Sequence, residues 1–194
     1  MRIGLAAIAS AVLLALTASG CGGDDDSAGG PVEGPGYEAE LPDGWSDEGE
    51  GGLIGAGVEV STGASVESVW ASEGEVDDVR PNVNVTSDEV PAGTTAEAVA
   101  HESLQALVSG EFGGDPGFSG TQIRPVTSTT LGGDPAAQFE ITSQAAGVEA
   151  QQRFVIAVRG KKSYAVTQTA AASAFAEVEP EFAEILGSWR WAGE

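Results

Sequence analysis

Hydrophobic and polar positions fall into distinct regimes along the 194 residues. Residues 3–17 are almost unbrokenly apolar, residues 22–36 offer almost nothing apolar to bury, and short periodic segments follow to the C-terminus. Successive side chains of a strand point to opposite faces, so apolar residues two apart mark a half-buried strand. Tyr37, Ala39 and Leu41 alternate with Glu38 and Glu40 in this way, and Pro42-Asp43-Gly44 turns the chain just before Trp45. The glycine-rich passage 48–57 predicts a loop, residues 58–61 a short strand and residues 66–71 another. In residues 82–86, Val83 and Val85 face one way and Asn82 and Asn84 the other.

The clearest helix starts at Thr94, where Thr94-Thr95-Ala96-Glu97 has the form of a capping box. Ala96, Ala100, Leu104, Leu107 and Val108 supply its apolar stripe, and Gly110 ends it. Strand patterns then recur at 122–126, 137–144, 148–159 and 163–169, the last three joined by tight turns at Gly147 and Gly160-Lys161-Lys162 into an antiparallel meander. Phe154-Val155-Ile156-Ala157-Val158 is apolar on both faces, which calls for cover above and below the sheet. Phe175, Val178, Phe182, Ile185 and Leu186 recur at helical spacing around Pro180, predicting a short helix from Ala171, a break, and a second helix over 180–186. A final strand, Ser188-Trp189-Arg190-Trp191, brings two indoles that need burial. The expected class is α+β, an antiparallel sheet sandwiched between helices, in one domain over residues 37–194.

The first regime reads as an address. Met1 and Arg2 supply a positive start, the apolar run is short of the ~20 residues of a spanning helix, and Ala18-Ser19-Gly20 places small residues before Cys21. Residues 1–20 are therefore expected to be a signal peptide and residues 21–36 a disordered Gly/Asp/Pro tether extended by Asp24, Asp25 and Asp26. Cys21 is the only cysteine, so the exported domain forms no internal disulfide. Bacterial lipoproteins resemble this stretch: their lipobox cysteine is diacylated, palmitate being a usual chain, and becomes the mature N-terminus. Ala18 stands where that pattern most often has Leu. The resemblance implies lipidation of Cys21 and a lipid anchor on the extracytoplasmic face of the cell membrane; the alternative is an ordinary secretory signal leaving a free thiol.

Charge removes several partners. Thirty acidic residues against eight basic ones give a formal net charge of -22, and a surface of that sign repels nucleic acid and anionic headgroups. The carboxylates leave weak calcium binding open beside simple solubilisation, although the consecutive aspartates of the tether lack the fixed geometry of a calcium site. One histidine and one cysteine cannot furnish the usual zinc set, so no metal or cofactor is expected. No phosphate-binding glycine motif and no GxSxG elbow occurs, and no catalytic residue is assigned. His101 falls on the helix flank one turn after Glu97, an ordinary surface pair. Through His101 or a carboxylate, a hydrolase of envelope glycans or esters is the alternative to a binding role. Phe112 and Phe118 sit in the glycine-rich passage 109–120, as candidate contacts for a ligand or partner.

Leu41-Pro42-Asp43-Gly44-Trp45, Arg80-Pro81-Asn82-Val83, Ser163-Tyr164-Ala165-Val166-Thr167 and the run from Phe182 through Ile185-Leu186-Gly187-Ser188-Trp189 carry a wider likeness. Their order resembles the PsbP-like fold and, more narrowly, the LpqN/LpqT group of actinobacterial envelope lipoproteins. That resemblance implies a non-enzymatic, lipid-anchored protein of the cell envelope that handles an envelope lipid or contacts a protein partner.

Overall fold

The computed structural model describes residues 29–49, 65–109, 122–145 and 148–193. Among these residues the chain forms β1 (Gly30–Gly34), β2 (Tyr37–Leu41), β3 (Trp45–Asp47), β4 (Ser65–Ser72), β5 (Asn82–Glu89), α1 (Ala96–Ser109), β6 (Gln122–Leu131), β7 (Asp134–Ala145), β8 (Val148–Arg159), β9 (Lys162–Ala171), α2 (Phe175–Ser188) and β10 (Arg190–Trp191). Seven strands make one antiparallel sheet in the order β3-β4-β5-β9-β8-β7-β6, and β1, β2 and β10 make a second, small one. Between β5 and β6 the chain crosses from the interior of the large sheet to its far edge, and the meander β6 to β9 walks back until β9 pairs with β5.

Both faces of the large sheet are buried, as the doubly apolar β8 requires: Phe154, Val155, Ile156 and Ala157 are each at most 1% exposed. On one face α1 packs over β6, β7 and β8, where Val99, Ala100 and Leu107 meet Phe139, Ile141, Phe154 and Ile156. Phe139 and Phe154 stack there with centroids 4.6 Å apart. The other face is covered by α2 together with the small sheet: Tyr37, Phe182, Ile185, Trp189 and Trp191 close over Trp45, Val83, Val85, Val155 and Val166 of the large sheet. The α+β class stands, but this second cover is part helix and part sheet rather than helix alone. Both terminal indoles are buried, Trp189 at 0% and Trp191 at 3% exposure.

Several boundaries differ from the sequence reading, each for a physical reason. Order begins before Tyr37: Gly30 to Gly34 pairs antiparallel with β2, so the last residues assigned to the tether are an edge strand. Pro31 is tolerated because an edge strand leaves one row of its backbone groups unpaired. The cap of α1 is Thr95, whose Oγ1 accepts from the Ala98 amide at 3.2 Å, while Thr94 turns back to the Pro91 carbonyl. The face of α1 packed on the sheet also differs from the expected stripe: Val99, Ala100, Ser103, Ala106 and Leu107 are buried and Val108 is 59% exposed. β6 runs to Leu131 and turns tightly at Gly132-Gly133 into β7. The break at Pro180 is absent: α2 is one helix with Pro180 inside it, and β9 occupies Ala171. An interior proline costs about 3 kcal/mol; burial of Phe175 on one side of it and Phe182 and Ile185 on the other offsets that loss.

Candidate functional site

Cys21, Phe112 and Phe118 lie outside the described residues, as do Gly110 and the strand expected at 58–61. His101 is described, and it stands on the exposed side of α1, 62% exposed and 3.9 Å from Glu97. Among the described residues, no three His, Cys, Asp or Glu side chains gather as metal ligands would. Asp77 and Asp78, both with positive φ, border an open cleft of about 320 Å³ with Val148, Glu149 and Ser173, where Ser173 Oγ donates to Asp77 at 2.5 Å.

Several of the described basic residues are engaged in ion pairs. Arg153 donates to Glu140 at 2.8 Å and to Glu179 of α2 at 2.7 Å, while Arg124 reaches Glu140 at 2.9 Å. Burial opposes the charge on Arg153, but its hydrogen bonds to Glu179 and Glu140 outweigh burial and hold the guanidinium more firmly protonated than usual. This network ties β8 to β7 and to α2 beside Phe175, whose ring lies 5.3 Å from the guanidinium carbon. Lys162 pairs with Glu67 at 3.0 Å, and Glu67 also accepts from Ser87. These are structural clamps between strands.

A different arrangement lies on the face that α1 shares. Register sets Asn84 of β5 opposite Thr167 of β9, and Thr167 opposite Phe154 of β8; likewise Asn82 lies opposite Thr169, and Thr169 opposite Gln152. Opposed residues of an antiparallel pair share a face, so Asn82, Asn84, Thr86, Thr167, Thr169 and Gln152 form one polar strip. The apolar Val69 and Ala71 of β4 flank it on one side, and Phe154, Phe139 and Ile141 continue the rows on the other. No member exceeds 3% exposure.

Buried polar atoms ordinarily find partners, because an unmade hydrogen bond costs about 1–3 kcal/mol per group. Gln152 satisfies this rule by donating to Thr169 at 3.2 Å, and Asn82 by donating to the Arg80 carbonyl at 3.0 Å. Along β5 the rule fails: Asn84 Nδ2, Asn84 Oδ1, Asn82 Oδ1 and Thr86 Oγ1 have no protein partner. Four orphaned atoms on three alternate residues of one strand form a coherent unsatisfied surface. Sequence alternation places these asparagines on the face opposite the valines and assigns them no role. Asn82, Asn84 and Thr86 are at most 3% exposed because this face of the sheet is covered as well as the other, which local alternation does not reveal.

No family model matches the chain, and no curated protein matches it in sequence. Solved structures do match in shape. The solution structure of cyanobacterial PsbP (CyanoP) from Synechocystis sp. PCC 6803 superposes with a TM-score of 0.56 at 18% identity, covering 89% of this chain and 98% of that one. The crystal structure of LpqN, involved in cell envelope biogenesis of Mycobacterium tuberculosis, superposes with a TM-score of 0.57 at 15% identity, covering 84% of this chain and 90% of that one. At such identities the likeness establishes a PsbP-like fold.

Proposed function

We propose that this chain is a non-enzymatic, lipid-anchored binding or accessory protein of the cell envelope, allied to the LpqN-type lipoproteins and attached through Cys21 to the extracytoplasmic face of the membrane. The observation that carries the binding role is the β5 strip, where neutral amides and hydroxyls are sealed without protein partners. Amide and hydroxyl side chains of ordinary pKa recognise ligands by hydrogen bonding and are poorly suited to proton transfer near neutral pH. The address rests on the sequence, where a short apolar run ends in small residues before the sole cysteine. A fold shared with a protein involved in cell envelope biogenesis is in keeping with both. The ligand on this reading is an envelope lipid or a protein partner, with residues 22–28 serving as the tether and Phe112 and Phe118 remaining candidate contacts.

The anchoring half is tested by expressing the full chain and its Cys21→Ser variant in a bacterium with a lipoprotein pathway, with radiolabelled palmitate in the medium. Wild type should take up label and sediment with membranes, and the variant should do neither. Equal sedimentation of the unlabelled variant would refute anchoring through Cys21.

A further inference from the structure

We infer that the outer edge of β6 is a docking site for an extended, basic segment of a partner protein, which adds to the large sheet as a further strand. The inference deepens the accessory role proposed above by naming the partner's chemistry, and rests on its protein-partner form. An edge strand presents a row of unpaired N–H and C=O groups to any extended chain, and proteins ordinarily blunt such edges with shortness, proline, charge, bulges or cover. Among the described residues, β3 at the opposite edge of the large sheet has three residues, and β1 at an edge of the small sheet has five, Pro31 and Glu33 among them. β6 has ten, and only Leu131 is buried. Its guards stand in one half: Arg124, Pro125 and the bulge between Arg124 and Thr127. The other half, Thr127-Ser128-Thr129-Thr130, carries neither charge nor proline, and its threonines favour the extended form.

The turn into β7 fixes which backbone groups face outward. Gly132 and Gly133, both with positive φ, close a two-residue hairpin, so the flanking Leu131 and Asp134 exchange both of their backbone bonds. Bonded and non-bonded pairs alternate from there. Thr129 and Thr127 therefore turn their N–H and C=O groups inward to β7, while Thr130 and Ser128 turn theirs to the open edge. Pro135 stands opposite Thr130, where its missing N–H takes nothing from the ladder. No described backbone group bonds to Ser128 or Thr130 from outside the sheet, and an extended peptide that binds by strand addition needs free pairs of this kind.

Charge selects among extended chains. Thirty acidic residues against eight basic ones repel an acidic segment, and they repel a second copy of the chain, whose net charge is the same -22. β6 contains no acidic residue, and its one cation, Arg124, lies 2.9 Å from Glu140. Asp134 stands at the end of the unguarded stretch, opposite Leu131. A basic segment is thus attracted by the chain as a whole and meets a carboxylate beside the ladder groups.

The full chain in phosphatidylcholine nanodiscs, titrated with three end-blocked heptapeptides, tests the proposal through calorimetry and residue-resolved amide hydrogen exchange. The peptides are Lys-Thr-Val-Thr-Val-Thr-Lys, its counterpart with glutamate for lysine, and a third with proline for both valines. Saturation by the lysine peptide should slow exchange of the Ser128 and Thr130 amides about tenfold and leave Thr127 and Thr129, already bonded to β7, unchanged. The glutamate peptide should bind about tenfold more weakly at low salt, with the gap closing near about 0.5 M salt, and the proline peptide should not bind. Ser128→Pro removes an outward donor at an edge that tolerates proline and should abolish binding; Ser128→Lys, exposed and safe for folding, should weaken the lysine peptide several-fold. The proposal is overturned if the lysine peptide leaves both outward amides unprotected, if the glutamate or proline peptide protects them equally, or if both variants keep wild-type affinity. Protection without peptide that rises with protein concentration would assign the edge to a second copy and overturn it as well. These outcomes are independent of the Cys21→Ser fractionation, so failure of the docking edge and failure of the anchor are separately visible.

Discussion

Tyr37 offers a sharp test of how the two sheets are joined. Its ring is fully buried, stacked on Trp189 with centroids 4.3 Å apart and met edge-on by Tyr164 and Trp70, and its hydroxyl donates to Ser68 of β4 at 2.7 Å. Burial raises the Tyr37 phenol well above its ordinary value; the bond to Ser68 pulls the other way, and the charges of Glu67 and Asp47 add to the rise. A raised folded-state pKa means that the folded chain keeps a proton which the unfolded chain releases above about pH 10. The stabilisation is therefore complete below pH 10 and is lost above it at about 1.4 kcal/mol per pH unit, so that about 2 kcal/mol is gone by pH 11.5. Tyr37→Phe keeps the ring but removes the titrating group and strands Ser68 Oγ, which is 5% exposed, a loss of about 1–2 kcal/mol that does not vary with pH. Urea unfolding of the full chain, followed by tryptophan fluorescence between pH 8 and pH 11.5, should show the variant less stable at pH 8 and level with wild type near pH 11.5. Parallel curves with a constant gap would refute the reasoning, because every other group is common to both proteins and cancels from the difference.

Other consequences concern the turn into β7 and the start of α1. A methyl group at Gly132 would stand 2.8 Å from Trp189 Cδ1 and Trp191 Nε1 at a φ of +56°, whereas one at Gly133, with a φ of +83°, meets open space. Gly132→Ala should therefore cost about 3 kcal/mol or more and Gly133→Ala about 1 kcal/mol, read from chemical denaturation; equal costs would show that the two indoles yield. Thr95→Ala should lose about 1 kcal/mol and Thr94→Ala clearly less, since only Thr95 caps the helix. The reverse order in thermal melts would restore Thr94 as the cap.

Local patterns determined much of this protein. Alternation in β2, β5 and β7, the doubly apolar centre of β8 and the helical spacing of Phe175, Phe182 and Ile185 are properties of consecutive residues. They specify which segments extend, which coil and which side chains seek cover. Where local chemistry and pairing disagreed, pairing prevailed. Gly30-Pro31-Val32-Glu33-Gly34 has the composition of a linker and becomes a strand because β2 offers it an edge. β6 carries few apolar residues and extends through Thr127-Ser128-Thr129-Thr130 because β7 lies beside it. Pro180 stays inside a helix because the core holds both sides of it. The candidate site belongs to the same class. An Asn-Val-Asn-Val-Thr segment states that its polar and apolar residues part to opposite faces, and on a one-sided sheet the asparagines would meet water. Only the placement of β5 between β4 and β9, in a sheet buried on both sides, closes that face and leaves its amides and hydroxyl unsatisfied. Period-two alternation is written along one strand, whereas burial of its second face depends on contacts between segments far apart in the chain.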